Sequence, residues 1–468
     1  MRYISTRGQA PALTFTEALL AGLAEDGGLY VPQTYPQLDR TAIAAFAGKP
    51  YAEVAEAVIA PFVGEAIPRA ELRAMLAQAY APFRHAAVAP LAQLGDNLFL
   101  MELFHGPTLA FKDVAMQLLG RLTNAALAAR GLRATVVGAT SGDTGAAAIE
   151  AFRGLDRVDV FILYPHGRVS NVQRRQMTTV PDANIHTIAL EGSFDDAQSI
   201  LKGLFRNAGF RKDVGLTGVN SINWARVVAQ VVYYFTSAVA LGAPHRNVSF
   251  TVPTGNFGDI LAGYVAKQMG LPIERLVIAT NENDILARTL ETGRYEVRGV
   301  KPTQSPSMDI QVSSNFERLL FDASGRDAAR VSAMMAALDQ SRGFSIDERA
   351  LQAIRADFDA FAVSEPQTRE EIAETYRQDE YILDPHSAVG VHAARRALER
   401  RPATPMIVAG TAHPAKFPDA IKAATGVTPA LPPHLAHIAA APERFEILPN
   451  DPVAIEKFIR AKARAAQA

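Results

Sequence analysis

Thr135-Val-Val-Gly-Ala-Thr-Ser-Gly-Asp-Thr-Gly145 runs from β-branched residues, through a loop of glycines and hydroxyls, into the helix-like stretch Ala146–Phe152. A short apolar run closed by glycine and capping residues reads as a strand handing over to a helix. The same form recurs along the chain. Val158–Tyr164 and Ile185–Leu190 are the next strand candidates, followed by a helical Asp195–Phe205 and a long helix over Ser221–Leu241. Val248–Val252 leads through Pro253-Thr-Gly-Asn-Phe-Gly-Asp259 into another helix, and Leu276–Ala279 and Met406–Ala409 repeat the pattern. This alternation predicts an α/β fold whose largely parallel sheet is buried on both faces.

The flanks read differently. Residues 1–95 are mostly helical, with alanine-rich stretches around Thr14–Ala24, Thr41–Ala47 and Tyr51–Val63, and Asp26-Gly-Gly-Leu-Tyr-Val-Pro32 turns into a short extended segment. Asp327–Arg377 is charged and reads as a helical insertion or surface layer. Residues 1–95 therefore read as a mainly helical region and the chain from about Asp96 onward as α/β.

Composition excludes several classes. Hydrophobic residues make up 49% and charged residues 20%, which suits a protein with a large core, and a net charge of −1 does not favour nucleic acid or an anionic membrane. Without cysteine there is no disulfide or thiolate chemistry. The ten histidines are scattered and form no metal-ligand motif, so no metal is expected, and His386, His392 and His413 read as structural or hydrogen-bonding residues. The richest apolar run, Val227–Phe235, is too short to span a membrane and carries Gln230, and no secretory signal is visible, so the chain reads as cytoplasmic.

In an α/β sheet the loops after the strands are where ligands bind. Gly255-Asn-Phe-Gly258 follows a strand and opens a helix, where free amides can seat a phosphate; a plain glycine turn is the competing reading. Thr140-Ser-Gly-Asp-Thr144 offers hydroxyls and amides to a carboxylate or phosphate, or else is an N-cap in which Asp143 or Thr144 satisfies the helix. Thr411 ends another strand, and Asn220-Ser-Ile-Asn-Trp-Ala-Arg226 suits anion recognition unless it is an ordinary cap with a surface arginine. Lys112, set among Leu109, Ala110 and Phe111 at a helix start that Gly131 would stop, has the apolar setting of a lysine that attacks aldehydes, though a snorkelling lysine has the same spacing. A phosphorylated aldehyde cofactor would suit this combination.

Eight runs, in this order, resemble the threonine synthase family: Thr6-Arg-Gly, Glu25-Asp-Gly-Gly-Leu-Tyr-Val-Pro32, Glu102-Leu-Phe-His-Gly-Pro-Thr-Leu-Ala-Phe-Lys-Asp113, Ala139-Thr-Ser-Gly-Asp-Thr-Gly145, Asn220-Ser-Ile-Asn-Trp224, Pro253-Thr-Gly-Asn-Phe-Gly-Asp259, Asp384-Pro-His-Ser-Ala-Val-Gly390 and Gly410-Thr-Ala-His-Pro-Ala-Lys-Phe417. The resemblance spans nearly the whole chain and is to the longer class found in bacteria and fungi. Ala146 stands where serine is expected and Ser387 where threonine is commoner.

The resemblance implies a fold type II pyridoxal-phosphate enzyme (tryptophan synthase β-like), a carbon–oxygen lyase that turns O-phospho-L-homoserine and water into L-threonine and phosphate. It implies that Lys112 forms the Schiff base, that Gly255, Asn256, Phe257 and Gly258 hold the cofactor phosphate, and that Thr411 faces the pyridine nitrogen. Thr140, Ser141, Asp143 and Thr144 would line the substrate side, with Asn220, Ser221, Asn223 and Arg226 as candidates for the substrate phosphate. The resemblance also implies a mainly helical N-terminal domain (1–95) and two α/β parts that would flank the cofactor, a large domain (96–130 and 220–468) and a smaller one (131–219) on the substrate side, in a monomer or homodimer. A serine or threonine dehydratase, or a catalytically silent ligand-binding relative, are the alternatives.

Overall fold

The computed structural model describes residues 1–140 and 142–467. The chain packs as two compact units: a larger one of Met1–Ala18, Leu23–Phe111 and Ser221–Pro429, and a smaller one of Leu19–Gly22, Lys112–Asn220 and the residues from Ala430. Each is built on its own sheet.

The six-stranded sheet of the larger unit runs in the order Phe358–Ala362, Ile273–Thr280, Val248–Pro253, Met406–Gly410, Leu98–Glu102, Leu91–Gly95. All neighbours pair in parallel except the last two, which form an antiparallel hairpin. Every residue of Val248–Pro253 and of Met406–Gly410 is buried, as expected of central strands covered on both faces. The helix Pro385–Leu398 covers one face, and a side chain at Gly390 would lie 2.8 Å from Val408 and 3.1 Å from Pro253. Glycine is what lets that helix sit so close to the sheet.

The five-stranded sheet of the smaller unit is wholly parallel, in the order Glu446–Pro449, Ile185–Glu191, Val158–Pro165, Ala134–Ala139, Leu216–Thr217. The helix Lys112–Ala128 belongs here, and Gly131 closes it as the sequence predicts, with φ +65° and its amide on Ala128.

Three expectations are corrected. Residues 1–95 do not separate as a domain but belong almost entirely to the larger unit. The smaller unit begins at Lys112 rather than at 131, and residues from Ala430 join it rather than the large domain. The reason is local: Glu446–Pro449 pairs with Ile185–Glu191, and the apolar stripe of Pro452–Lys462 buries Ile455 and Ile459 in the core with Phe161 and Ile188. Finally, Asp327–Arg377 is not only helical, because Phe358–Ala362 inside it is an edge strand of the larger sheet. Its acid and alanines mask strand propensity, which is restored by burial of Phe358 and Phe361 and by Asp359 bonding Arg275 at 2.7 Å and Arg401 at 2.9 Å. Among the described residues, no helix is long and apolar enough to cross a membrane.

Candidate active site

Three neighbouring parallel strands of the larger sheet end at Pro253, Gly410 and Glu102, and the loops that leave them are those the sequence singles out. The loop after Glu102 and the loop after Gly410 are joined backbone to backbone. Leu103 N–H donates to the Gly410 carbonyl at 2.9 Å, Phe111 N–H to Thr411 at 2.9 Å, and His413 N–H to Leu109 at 3.1 Å, while Ala110 and Ala412 bridge. Leu109 takes φ +61°, a left-handed backbone that costs a leucine on the order of 1–2 kcal/mol. The wholly buried Lys416 donates from Nζ to the Thr108 carbonyl at 2.7 Å and holds this turn shut. Phe111, the residue before Lys112, is held by this stitched turn.

Thr411 is buried, and its Oγ1 has no hydrogen-bond partner among the described residues. A buried hydroxyl without a partner costs about 1–3 kcal/mol, so it points to a ligand atom that completes it. The Thr411 backbone is held in turn: its N–H donates to Ser387 Oγ at 3.2 Å, and Ser387 donates to Asp384. Asp384 also binds His386 Nδ1 at 2.9 Å, and His386 Nε2 accepts from Ser307 N–H at 3.2 Å, which places the imidazole proton on Nδ1. His413 accepts the Ala415 amide on Nδ1, and burial, followed by the nearby His105, pushes its imidazole down to about 4. His392 faces Glu371 at 3.4 Å. These are bonding roles inside the fold.

The loop Gly255–Gly258 opens the helix Gly258–Gln268, whose first amides lack intrahelical acceptors. Phe257 caps it with φ +63°, held there by rings packed against Phe316 and Phe358 at 5.4 and 5.8 Å. A Cβ on Gly255 would meet the Ser307 carbonyl at 2.8 Å, whereas one on Gly258 has nothing nearer than 3.5 Å among the described residues. Packing explains the first glycine but not the second, which suits a ligand approaching the backbone there.

Within the smaller unit, Lys112 is the first residue of its helix and lies 3.5 Å from Asp143, both side chains nearly buried. A helix start and burial both disfavour a cation, and Asp143 is the counter-charge. Gln173 fixes Asp143 with a bond of 2.9 Å to the other carboxylate oxygen. Thr140 Oγ1 accepts from the amides of Gly142 and Gly145 at 2.9 and 3.1 Å, so Thr140, rather than Asp143 or Thr144, makes the cap. Thr144 is half-buried, and Ser141 lies outside the described residues.

Asn220 is the exposed last residue before the larger unit, and Ser221, Asn223 and Arg226 belong to that unit. Asn223 is the N-cap of Trp224–Ala240, accepting from Ala225 at 3.1 Å. Arg226 is not a surface residue: it is buried in the first turn of that helix, and burial pushes its guanidinium down to about 10. A buried arginine at a helix start is a strong anion seat.

One residue beyond the phosphate-type loop, Asp259 is buried, with Oδ1 accepting from Tyr233 at 2.5 Å and Tyr234 at 2.8 Å. Burial outweighs these bonds and pushes its carboxyl from the ordinary 3.8 up to about 6. The folded chain thus holds this proton more tightly than the unfolded chain, so its contribution is full below pH ~4 and lost as pH rises through about 6. Between those limits stability is expected to fall by on the order of 2–3 kcal/mol, and Asp259→Asn should remove that fall. Denaturant titrations at several pH values from 4 to 8 test it; parallel slopes for both proteins would mean that Asp259 ionises normally.

The sequence missed the supporting residues Ser307, Ser313, Asn315, Arg318 and Lys416. Lys416 and Ser387 sit within quoted motifs, whereas Ser313, Asn315 and Arg318 carry no local signal. Within the larger unit, an incomplete hydroxyl at Thr411 and an amide-rich helix start at Gly258 fit a ligand that bears a phosphate and a ring nitrogen.

Comparison with known proteins agrees. Residues 78–338 match the family described as "Pyridoxal-phosphate dependent enzyme", while residues 2–80 match "Threonine synthase N terminus" and 387–459 match "Threonine synthase, C-terminal". The threonine synthase of Pseudomonas aeruginosa is 55% identical over 460 residues, covering 98% of both chains. A crystal structure of PLP-bound threonine synthase from Brucella melitensis superposes with a TM-score of 0.97 at 59% identity, covering 99% of this chain and 100% of that one. The yeast threonine synthase structure gives a TM-score of 0.94 at 41% identity, over 98% of each chain. The chain belongs to the threonine synthase family of fold type II, pyridoxal-phosphate-dependent enzymes.

Proposed function

We propose that Lys112 is the residue that binds pyridoxal phosphate covalently in this chain and serves as its principal acid–base group. The enzyme converts O-phospho-L-homoserine and water into L-threonine and phosphate. The observation that supports the assignment of residues is that the loops carrying Gly255–Gly258 and Thr411, and the loop that leads to Lys112, leave the ends of three adjacent strands.

Gly255, Asn256, Phe257 and Gly258 would hold the cofactor phosphate with backbone amides, and the Thr411 hydroxyl would meet the ring nitrogen. When bound, the cofactor supplies an electron sink for negative charge developed at the substrate α-carbon. Lys112 Nζ, freed when the substrate amine takes its place, accepts the α-proton and is the group available for the later proton at Cβ. Its neighbour Asp143 neutralises the ammonium formed each time. Phosphate leaves from Cγ, Cγ takes up a proton to become the methyl group, water adds as hydroxyl at Cβ, and a proton returns to Cα.

Thr140, Ser141, Asp143 and Thr144 would line the substrate side. Thr140 acts there by shaping the loop, since its oxygen already serves two amides. Asn220, Ser221, Asn223 and Arg226 would bind the substrate phosphate, with the buried Arg226 contributing most because its charge is least screened. A monomer or homodimer working in the cytoplasm completes the reading.

The test is an absorbance spectrum of the purified chain, followed by phosphohomoserine and assays for phosphate and threonine. A visible band from the lysine-bound cofactor, with both products appearing together, is expected. A band with no phosphate release, but deamination of serine or threonine, would overturn the substrate and leave the cofactor.

A further inference from the structure

The carbonyls on the outer side of the phosphate-type loop are all spoken for. Ser313 Oγ donates to the Gly255 carbonyl at 2.7 Å. Asn315 donates twice to the Asn256 carbonyl, from its backbone N–H at 3.1 Å and from Nδ2 at 3.0 Å. In a trans peptide the C=O and N–H point in opposite directions. Pinning the carbonyls of Gly255 and Asn256 toward Ser313 and Asn315 therefore turns the amides of Asn256 and Phe257 the other way. Two successive amides presented together beside a left-handed residue, here Phe257, make a concave anion seat.

Asn315 does this only if its side chain faces the right way, because a flipped amide would set Oδ1 against the Asn256 carbonyl. The wholly buried Arg318 decides the matter. Its Nη1 donates to Asn315 Oδ1, and a guanidinium has no acceptor, so the atom facing it must be the oxygen. Arg318 is itself fixed by donation to the carbonyls of Tyr30 at 3.0 Å and Ile222 at 2.6 Å, and it stacks over Trp224 at 5.4 Å. Burial pushes the guanidinium down to about 10, which leaves it charged at neutral pH. The second Nδ2 contact of Asn315, 3.1 Å to the Ser221 carbonyl, ties the same side chain to the Asn220–Asn223 segment.

We propose that Asn315 and Arg318 are positioning residues that hold Gly255–Gly258 in its anion-binding conformation, with Arg318 locking the Asn315 amide. This rests on the reading that the loop holds the cofactor phosphate. It also gives the N-terminal region a part in cofactor binding, since Tyr30 anchors Arg318 and Glu317 anchors Thr6 at 2.6 Å and Arg7 at 3.1 Å.

The test compares two aldehydes on the full-length chain stripped of cofactor: pyridoxal phosphate and pyridoxal, which lacks the phosphate. Binding is read from the visible band. Asn315→Leu and Arg318→Met should each lower affinity for pyridoxal phosphate roughly tenfold or more, while affinity for pyridoxal stays within about twofold of the parent. A purely structural role would weaken both aldehydes together. An unchanged ratio in a folded variant, confirmed by circular dichroism, overturns the proposal. Arg318→Lys keeps the cation if Arg318→Met fails to fold, and without the guanidinium fork it should still shift the ratio in the same direction; no shift overturns the lock. Gly258→Val is the control for the loop itself. If it does not lower the preference for the phosphate, the loop reading fails, whereas a shift in Gly258→Val without one in Asn315→Leu fails the clamp alone.

Discussion

Lys112→Ala is expected to abolish covalent cofactor attachment and to lower threonine formation by about 10⁴-fold or more, since one side chain supplies both the linkage and the main proton transfers. Reduction with borohydride followed by mass analysis should fix the cofactor to the parent chain at the peptide containing Lys112 and leave the variant unlabelled. Retained labelling and turnover would falsify the assignment. The structure adds a second consequence. Lys112 and Asp143 form a nearly buried pair at 3.5 Å, with Gln173 on the other carboxylate oxygen, and removing the lysine breaks that ion pair. The variant without cofactor should therefore lose about 3 kcal/mol of stability. Asp143→Asn added to Lys112→Ala should not restore turnover, because the chemistry lies in the amine.

Thr411→Asp carries the second large effect. The hydroxyl it replaces is buried and unpartnered, and its backbone is set by Ser387 and Asp384. A carboxylate in that position would hold the ring nitrogen of the cofactor protonated, where a neutral hydroxyl does not. Charge would then be drawn more strongly into the ring. Threonine formation should fall by about 10²-fold, with side products rising as partly reacted substrate escapes. Without cofactor, a buried carboxylate lacking a cation should lower stability by about 1–3 kcal/mol, and adding the cofactor should restore it. Product analysis by chromatography checks the first expectation and melting curves with and without cofactor check the second. An unchanged product spectrum would mean that Thr411 does not face the ring.

What the sequence by itself determined is the class of fold and, through the resemblance carried by its motifs, the cofactor and the reaction. The places of Lys112, Gly255–Gly258 and Thr411 at strand ends or helix starts are legible because such places are set by local propensity and apolar period. The parallel sheets follow from the same alternation, since strands such as Val158–Pro165 that are buried on both faces must be apolar throughout. Ligand loops at strand ends are local, and local patterns can be read along the chain.

Tertiary structure alone decided whatever depends on partners distant in sequence. Phe358–Ala362 becomes a strand because Ile273–Thr280 offers an edge and Arg275 neutralises Asp359. Glu446–Pro449 crosses to the smaller unit because Ile185–Glu191 has an open edge and Ile455 needs a core to enter. Arg226 reads in sequence either as an anion-binding residue or as a surface arginine, and burial of the helix that carries it removes the second reading. Asn315 and Arg318 are the clearest case. An asparagine and an arginine in a charged stretch are ordinary in sequence, and only the assembled chain brings the carbonyls of Tyr30, Ser221, Ile222 and Asn256 to them. Their role is set by unsatisfied carbonyls converging from three separate segments, and such convergence leaves no periodicity or motif in any one of them.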